Sequence, residues 1–396
     1  MENKFYTNLK NDLYSLKENG TYKKLRFLKS PMSNRTLVDE FGKVIMLCSN
    51  NYLGLAYKNE IIKAGIDALK KYGVGAASVR FICGTFDIHR KLEEKVAEFL
   101  HTEAALTYTS CMDANMSVIP AILKQEDTVI SDELNHASII DGCRLVDRAV
   151  KKLIYKHSDL NSLEEKLKES GSDGNKLIVT DGVFSMEGDI AVLPGIVELA
   201  KKYNCIVMID DSHGIGVIGK TGRGTTEYYN LLGEVDIITG TFGKALGGAG
   251  GGFVAAKKEV IDICIQKSRS HLFSNSLPPV LAAIGIEAIK YLDSHPGIVS
   301  SLHEKIIYLR NKLKNAGIKP LEGESAIVPI MIGDTAKAIK IASGMLKEGV
   351  YVIGFGYPIV PEGKARIRLQ VSDALKYSDI DYAVNILLEV LNKNIK

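Results

Sequence analysis

One lysine stands inside a run of glycines. Residues 236–252 read Asp-Ile-Ile-Thr-Gly-Thr-Phe-Gly-Lys-Ala-Leu-Gly-Gly-Ala-Gly-Gly-Gly, seven glycines around Lys244. The β-branched residues before it read as a buried strand, and glycine lets a backbone turn sharply or approach a ligand closely. An amine so placed suits a Schiff-base lysine, which joins an aldehyde cofactor covalently and then carries protons. The other reading is a flexible glycine loop with an incidental lysine.

Further residues of this kind follow apolar runs. Cys205-Ile-Val-Met-Ile leads into Asp210-Asp-Ser-His213. A carboxylate facing a pyridine nitrogen keeps that ring protonated and able to accept electrons. Asp210 fits that task and His213 could meet the ring's phenolic oxygen; a capping aspartate and a structural histidine are the alternative. His136, in Ser131-Asp-Glu-Leu-Asn-His136-Ala-Ser138, could stack on a flat ring or simply begin a helix. Thr109-Ser110-Cys111-Met112 stands where a strand passes into a helix, whose free N–H groups could hold a phosphate; plain capping by Ser110 is the alternative. Ser185, in Asp181-Gly-Val-Phe-Ser185-Met-Glu-Gly188, is a ring contact or part of an ordinary turn. Arg366 and Arg368 alternate onto one face of a strand, where one could grip a carboxylate in a two-bond fork and the other remain solvated.

Gly214-Ile-Gly-Val-Ile-Gly-Lys220-Thr221 matches the phosphate-loop pattern letter for letter. That pattern needs a strand running into the loop and a helix starting at Lys-Thr. Polar residues separate it from the strand, and Gly222-Arg-Gly224 opposes a helix, so a nucleotide loop is not expected.

The elements that must position these groups alternate. Strands are expected at Val44–Cys48, Ala105–Tyr108, Thr128–Ser131, Lys151–Tyr155, Leu177–Thr180, Cys205–Ile209, Asp236–Thr239 and Phe253–Ala256. Helices are expected at 60–72, 92–100, 112–123, 137–149, 160–169 and 194–203. Such alternation implies a mainly parallel sheet covered by helices on both faces, with ligands at the strands' carboxyl ends. Past Ser276-Leu-Pro-Pro279 helices dominate, with strands at Ile327–Ile332 and Ala365–Gln370. The expected division is an N-terminal arm over 1–45, a large domain over 46–276 and a smaller α+β domain over 277–396.

Composition limits the rest. The chain has 396 residues, 46% hydrophobic and 24% charged, with a net charge of +3. So slight a charge argues against nucleic acid or an anionic membrane surface as partner. No apolar run reaches the ~18 residues of a membrane helix. The start lacks a secretory apolar segment, and the six cysteines are too scattered for zinc or a disulfide framework. A cytoplasmic protein is expected.

Together these residues resemble the α-oxoamine synthases, a group of the fold-type-I pyridoxal-phosphate enzymes. The likeness spans nearly the whole chain. Thr241-Phe-Gly-Lys244-Ala-Leu-Gly-Gly-Ala-Gly250 is similar to the group's cofactor-lysine signature. Asn50-Asn-Tyr-Leu-Gly-Leu55, Ser131 to Gly142, Asp181-Gly-Val-Phe-Ser-Met186 and Asp210-Asp-Ser-His213 are similar to further motifs in the same order. Ala77-Ser-Val-Arg80-Phe-Ile-Cys-Gly-Thr85, Ser268 to Ser276 and Gly356 to Arg368 resemble the branch that joins glycine to acetyl-CoA. The biotin-pathway branch usually differs where Phe81-Ile-Cys-Gly stands. His271 departs from the glycine branch.

The resemblance implies a fold-type-I transferase with pyridoxal phosphate as cofactor. Lys244 would be its Schiff-base lysine, Asp210 the partner of the ring nitrogen, His213 that of the ring oxygen and His136 the stacking ring. Cys111 and Met112 backbone groups, with Thr241, would serve the phosphate. Ser274 and Asn275 would reach the neighbouring subunit's phosphate site, implying a homodimer with shared sites. Arg368 would hold the substrate carboxylate, with Asn50 nearby. The implied reaction condenses glycine with acetyl-CoA to 2-amino-3-oxobutyrate, or reverses in threonine breakdown; joining alanine to a pimeloyl thioester is the alternative.

Overall fold

Seven strands lie side by side in the order Ala104–Tyr108, Gly252–Ala256, Ile237–Thr241, Ile206–Asp210, Lys176–Asp181, Thr128–Asp132 and Lys151–Tyr155. They belong to a computed structural model that describes residues 3–171 and 173–395. The first two residues of the expected arm lie outside the described residues. Gly252–Ala256 runs antiparallel to both its neighbours, and the other pairs in the sheet are parallel. The central strands are buried along nearly their whole length. That is why they read as continuous apolar runs rather than alternating ones. The edge strand Lys151–Tyr155 exposes Lys151, Lys152 and Ile154.

Helices cover this sheet, and each starts and stops for a local reason. Cys111–Ile122 begins where Ser110 Oγ accepts from the Asp113 N–H at 3.0 Å. Leu193–Tyr203 carries a proline in its first turn and ends at Asn204 in the left-handed region. The helix expected over 137–149 is Ala137–Arg144. Beyond it Asp147 Oδ1 accepts from the Ala149 N–H at 2.9 Å, a local turn that competes with further helix. Val118, Val129, Val179, Met208 and Val254 form part of the core between sheet and helices. Each such side chain contributes about 1.5–3 kcal/mol when taken from water.

The chain divides into two compact units: residues 50–185 with 189–303, and residues 1–49 with 186–188 and 304–396. This differs from the expected division at both ends. Residues 277–303 stay with the large unit because helix Pro279–Ser294 lies against helices Asn59–Tyr72 and Asp87–Leu100. Gly285 makes room there: a Cβ on it would lie 3.1 Å from Phe242 and 3.2 Å from Leu92. At the other end only Lys4–Glu18 is arm-like, a helix with no buried residue. Arg35–Val38 and Gly42–Met46 instead form a sheet with Val350–Tyr351, and Arg35 holds Asp379 at 2.7 Å. The smaller unit's other sheet orders Ile327–Gly333, Ala365–Gln370 and Ile353–Phe355, all antiparallel. The short strand Ile353–Phe355, with Gly354 inside it and Gly356 after it, carries too little pattern to be read from sequence. Among the described residues no helix is long and apolar enough to cross a membrane.

Candidate active site

The carboxyl ends of the parallel strands open into one cleft of about 210 Å³, lined by residues that include Cys111, Met112, His136, Ser185, Asp210, His213, Thr241 and Lys244. Strand register explains the gathering. Asp181 pairs with Asp210, and Asp210 with Thr239, so each chain leaves its strand at the same level. Gly252 enters its antiparallel strand at that level too. A Cβ on it would lie 2.2 Å from the Cys111 nitrogen, so only glycine lets this strand meet the start of helix Cys111–Ile122. The first residues of that helix, Cys111 and Met112, line the cleft.

Asp210, at the end of its strand, is 5% exposed. Its Oδ2 accepts from Asn115 Nδ2 at 2.6 Å and from the Cys111 thiol at 3.7 Å, and its Oδ1 from the Ser212 N–H at 2.9 Å. Burial and the Asp210 charge push the Cys111 pKa well up, which keeps the thiol protonated and a donor. Such a set of donors suits an ionised carboxylate. Asp181 lies beside it and accepts from the His136 N–H at 2.8 Å; burial, then the Asp210 charge, raise its pKa well above the usual carboxylate range.

His136 caps helix Ala137–Arg144, its Nδ1 2.7 Å from Ser138 Oγ. Loss of hydration lowers its pKa, Asp210 opposes that and Lys244 adds to it. His213 Nδ1 lies 2.8 Å from Tyr52 Oη, and that hydroxyl donates to Asn50 Oδ1 at 3.3 Å. Asn50 thus joins the site through a buried tyrosine. Thr241 Oγ1 donates to the Gly251 carbonyl at 2.9 Å and accepts from the Gly243 N–H at 3.0 Å, tying both ends of the loop that carries Lys244.

Ser274 and Asn275 are expected at the neighbouring subunit's site rather than their own. Ser274 and Asn275 do not line this cleft; Ser274 ends helix Arg269–Phe273, and Asn275 bridges to Val79. Arg368 belongs to the smaller unit, where its guanidinium stacks 4.5 Å from the Phe355 ring and donates to Gln370 Oε1 at 3.2 Å. Arg366 is not the solvated member of the pair. It is 4% exposed and donates to Glu187 Oε1 at 2.8 Å and the Met186 carbonyl at 2.9 Å. The phosphate-loop look-alike has no helix at Lys220; the next one begins at Thr225. Glu227 takes the N–H groups of Thr221 and Arg223 onto its carboxylate, where a phosphate would have to sit.

Sequence reading passed over Asn115, Tyr52, Ser138 and Thr239. A signal for Asn115 existed. It lies four residues after Cys111, on the same helical face, and is a polar residue amid apolar ones.

Comparison with known proteins gives the lineage. The family profile "Aminotransferase class I and II" matches residues 42–387. The chain is 45% identical over 392 residues to 2-amino-3-ketobutyrate coenzyme A ligase of Escherichia coli strain K12, covering 98% of each chain. It is 47% identical over 384 residues to 8-amino-7-oxononanoate synthase of Thermoanaerobacter pseudethanolicus, covering 96% of each. Among solved structures, serine palmitoyltransferase from S. paucimobilis, with PLP and myriocin bound, superposes with a TM-score of 0.92 at 27% identity, covering 98% of each chain.

Proposed function

The chain belongs to the aminotransferase class I and II family and, within it, to the α-oxoamine synthases; from that premise we propose that it condenses glycine with acetyl-CoA. The products are 2-amino-3-oxobutyrate and CoA, and the reverse cleaves that ketoacid with CoA in threonine breakdown. Pyridoxal phosphate is the cofactor. The cleft suits it: a helix N-terminus against Gly252 for a phosphate, and a buried carboxylate already carrying donors for the ring nitrogen.

Bound there, the cofactor supplies a carbonyl for the amino acid's nitrogen and a ring that withdraws electrons from its α-carbon. The protein does the rest. Lys244 would hold the cofactor covalently, and its amine would take and return the proton of the amino acid's α-carbon. Asp210 faces the ring nitrogen and keeps it protonated. His213 would meet the ring oxygen, Ser185 would contact the ring and His136 would lie on the ring face. Backbone N–H groups of Cys111 and Met112, with Thr241, hold the phosphate. Arg368 would receive the substrate carboxylate, and Asn50 would also serve the substrate. The protein acts in the cytoplasm as a homodimer, in which Ser274 and Asn275 serve the partner's site.

One observation carries the reaction class: amine, carboxylate, imidazole and helix N-terminus line a single cleft. The choice of glycine and acetyl-CoA is supported by the resemblance of Ala77–Thr85 and of 268–276. The 47% identity to an 8-amino-7-oxononanoate synthase favours a second reading, alanine with a pimeloyl thioester. Thiol release measured in parallel with both substrate pairs tests the choice. Faster release with glycine and acetyl-CoA is expected, and the opposite ranking makes the second reading correct. Glycine-dependent release that survives in Lys244→Ala refutes the lysine's role.

A further inference from the structure

Asn115 is the centre of a hydrogen-bond relay between Asp210 and His136. Its side chain is wholly buried in helix Cys111–Ile122. Thr239 Oγ1 donates to Asn115 Oδ1 at 2.8 Å. The amide nitrogen lies 2.6 Å from Asp210 Oδ2 and 2.9 Å from Ser138 Oγ. Turned over, the amide would set its oxygen against the carboxylate, acceptor to acceptor, so the neighbours determine its orientation. Both amide hydrogens are then used, one on Asp210 and one on Ser138. Ser138 Oγ accepts from Asn115 and lies 2.7 Å from His136 Nδ1, where its own hydrogen is placed to donate. The Ser138 backbone N–H points at the same nitrogen from 3.3 Å. Two donors on Nδ1 leave it without a proton, so a neutral His136 carries its hydrogen on Nε2.

We infer that Asn115 and Ser138 are positioning residues that set two protonation states together: Asp210 as an ionised acceptor, and His136 as the neutral imidazole protonated on Nε2. The inference rests on the roles proposed above for Asp210 and His136. Asp210 is the charge that would draw a second proton onto His136, and Asn115 spends part of that charge on its own N–H. Lys244 also bears on the ring, and Asp181 accepts from the His136 backbone N–H. Loss of hydration lowers the His136 pKa in the same sense. The relay leaves Nε2–H as the ring's one remaining hydrogen-bonding group, a donor toward an oxygen of bound substrate.

The test is 15N-resolved imidazole spectroscopy of the holoenzyme, with the His136 signals assigned by their loss in His136→Gln. Wild type is expected to show an unprotonated Nδ1 and a protonated Nε2. Ser138→Ala moves the ring toward a mixture of tautomers and lowers kcat about tenfold with KM within about twofold; Ser138→Thr, which keeps the hydroxyl, restores both. Asn115→Ala weakens pyridoxal-phosphate affinity about tenfold, the loss of one charge-assisted hydrogen bond's worth. Thr239→Val frees the amide without touching Asp210, keeps the side-chain volume, and moves the same readings less far in the same direction. An unchanged tautomer in Ser138→Ala, with unchanged cofactor affinity in Asn115→Ala and Thr239→Val, overturns the inference. Asp210→Asn separates the layers. If that variant keeps full activity, the role proposed for Asp210 fails; if it is inactive while the relay variants behave as wild type, only the relay fails.

Discussion

At the scale of single residues, chemistry follows from what each group is made to face. Lys244 is the one lysine among the described residues that line the cleft, and its charge bears on Cys111, His136 and Asp181. Lys244→Ala is expected to cost roughly 10²–10⁴-fold in kcat, the range of a lost general acid–base group. It should also abolish the visible absorbance that borohydride removes from wild type; spectra before and after borohydride decide it. Lys244, Asp210, His136 and His213 stood out in the sequence as reactive types within a few residues of the end of an expected strand. Tyr52 did not, and Asn115 showed only as a polar residue amid apolar ones, four positions after Cys111. Their partners, Asp210 and His213, lie far away along the chain.

At the scale of elements, the contacts between loops decide whether those groups hold their places. His157 follows strand Lys151–Tyr155, with Nδ1 3.1 Å from Asp132 Oδ1 and Nε2 2.9 Å from Asp189 Oδ2. Its ring packs edge-on against Phe184 at 4.3 Å. Asp132 begins the turn that delivers His136, and Asp189 closes the turn that delivers Ser185, so one imidazolium ties two walls of the cleft. Burial alone would lower its pKa, but the hydrogen bonds to both aspartates carry it from 6.5 up to about 10. With the folded value above the unfolded one, the stabilisation is complete below pH 6.5 and gone once pH passes about 10. Urea unfolding across that window should show wild type losing up to about 1.4 kcal/mol per pH unit relative to His157→Gln. A constant difference between the two proteins would exclude the clamp. Gly252→Ala belongs to the same scale. Its new Cβ, 2.2 Å from the Cys111 nitrogen, must push strand and helix apart, for about 1–3 kcal/mol of stability and a weaker hold on the cofactor phosphate. Thermal melts and cofactor titration check the two effects.

At the scale of the whole molecule, the proposal of shared sites makes a quantitative demand. Lys244→Ala subunits mixed with Ser274→Ala/Asn275→Ala subunits should regain about a quarter of wild-type activity, because half the random dimers then contain one intact site. Sites built within one chain would regain nothing beyond the sum of the separate variants, so activity after mixing and re-equilibration decides between them. The division into units belongs to this scale as well. Strand Gly42–Met46 pairs with Val350–Tyr351 across some three hundred residues of chain. No local pattern near either segment announces that partner.

The sequence by itself determined most strands and helices of the large sheet and which side chains are reactive. Both are local properties: continuous β-branched runs suit a sheet covered on both faces, and glycine, serine or proline at their ends fixes where each run stops. Only the tertiary structure decided which polar groups meet. Asn115 reaches Asp210 across 95 positions and Tyr52 reaches His213 across 161. Those hydrogen bonds depend on strand order and on how each helix is turned about its axis. Packing of the whole core settles both, and no short stretch of residues encodes either.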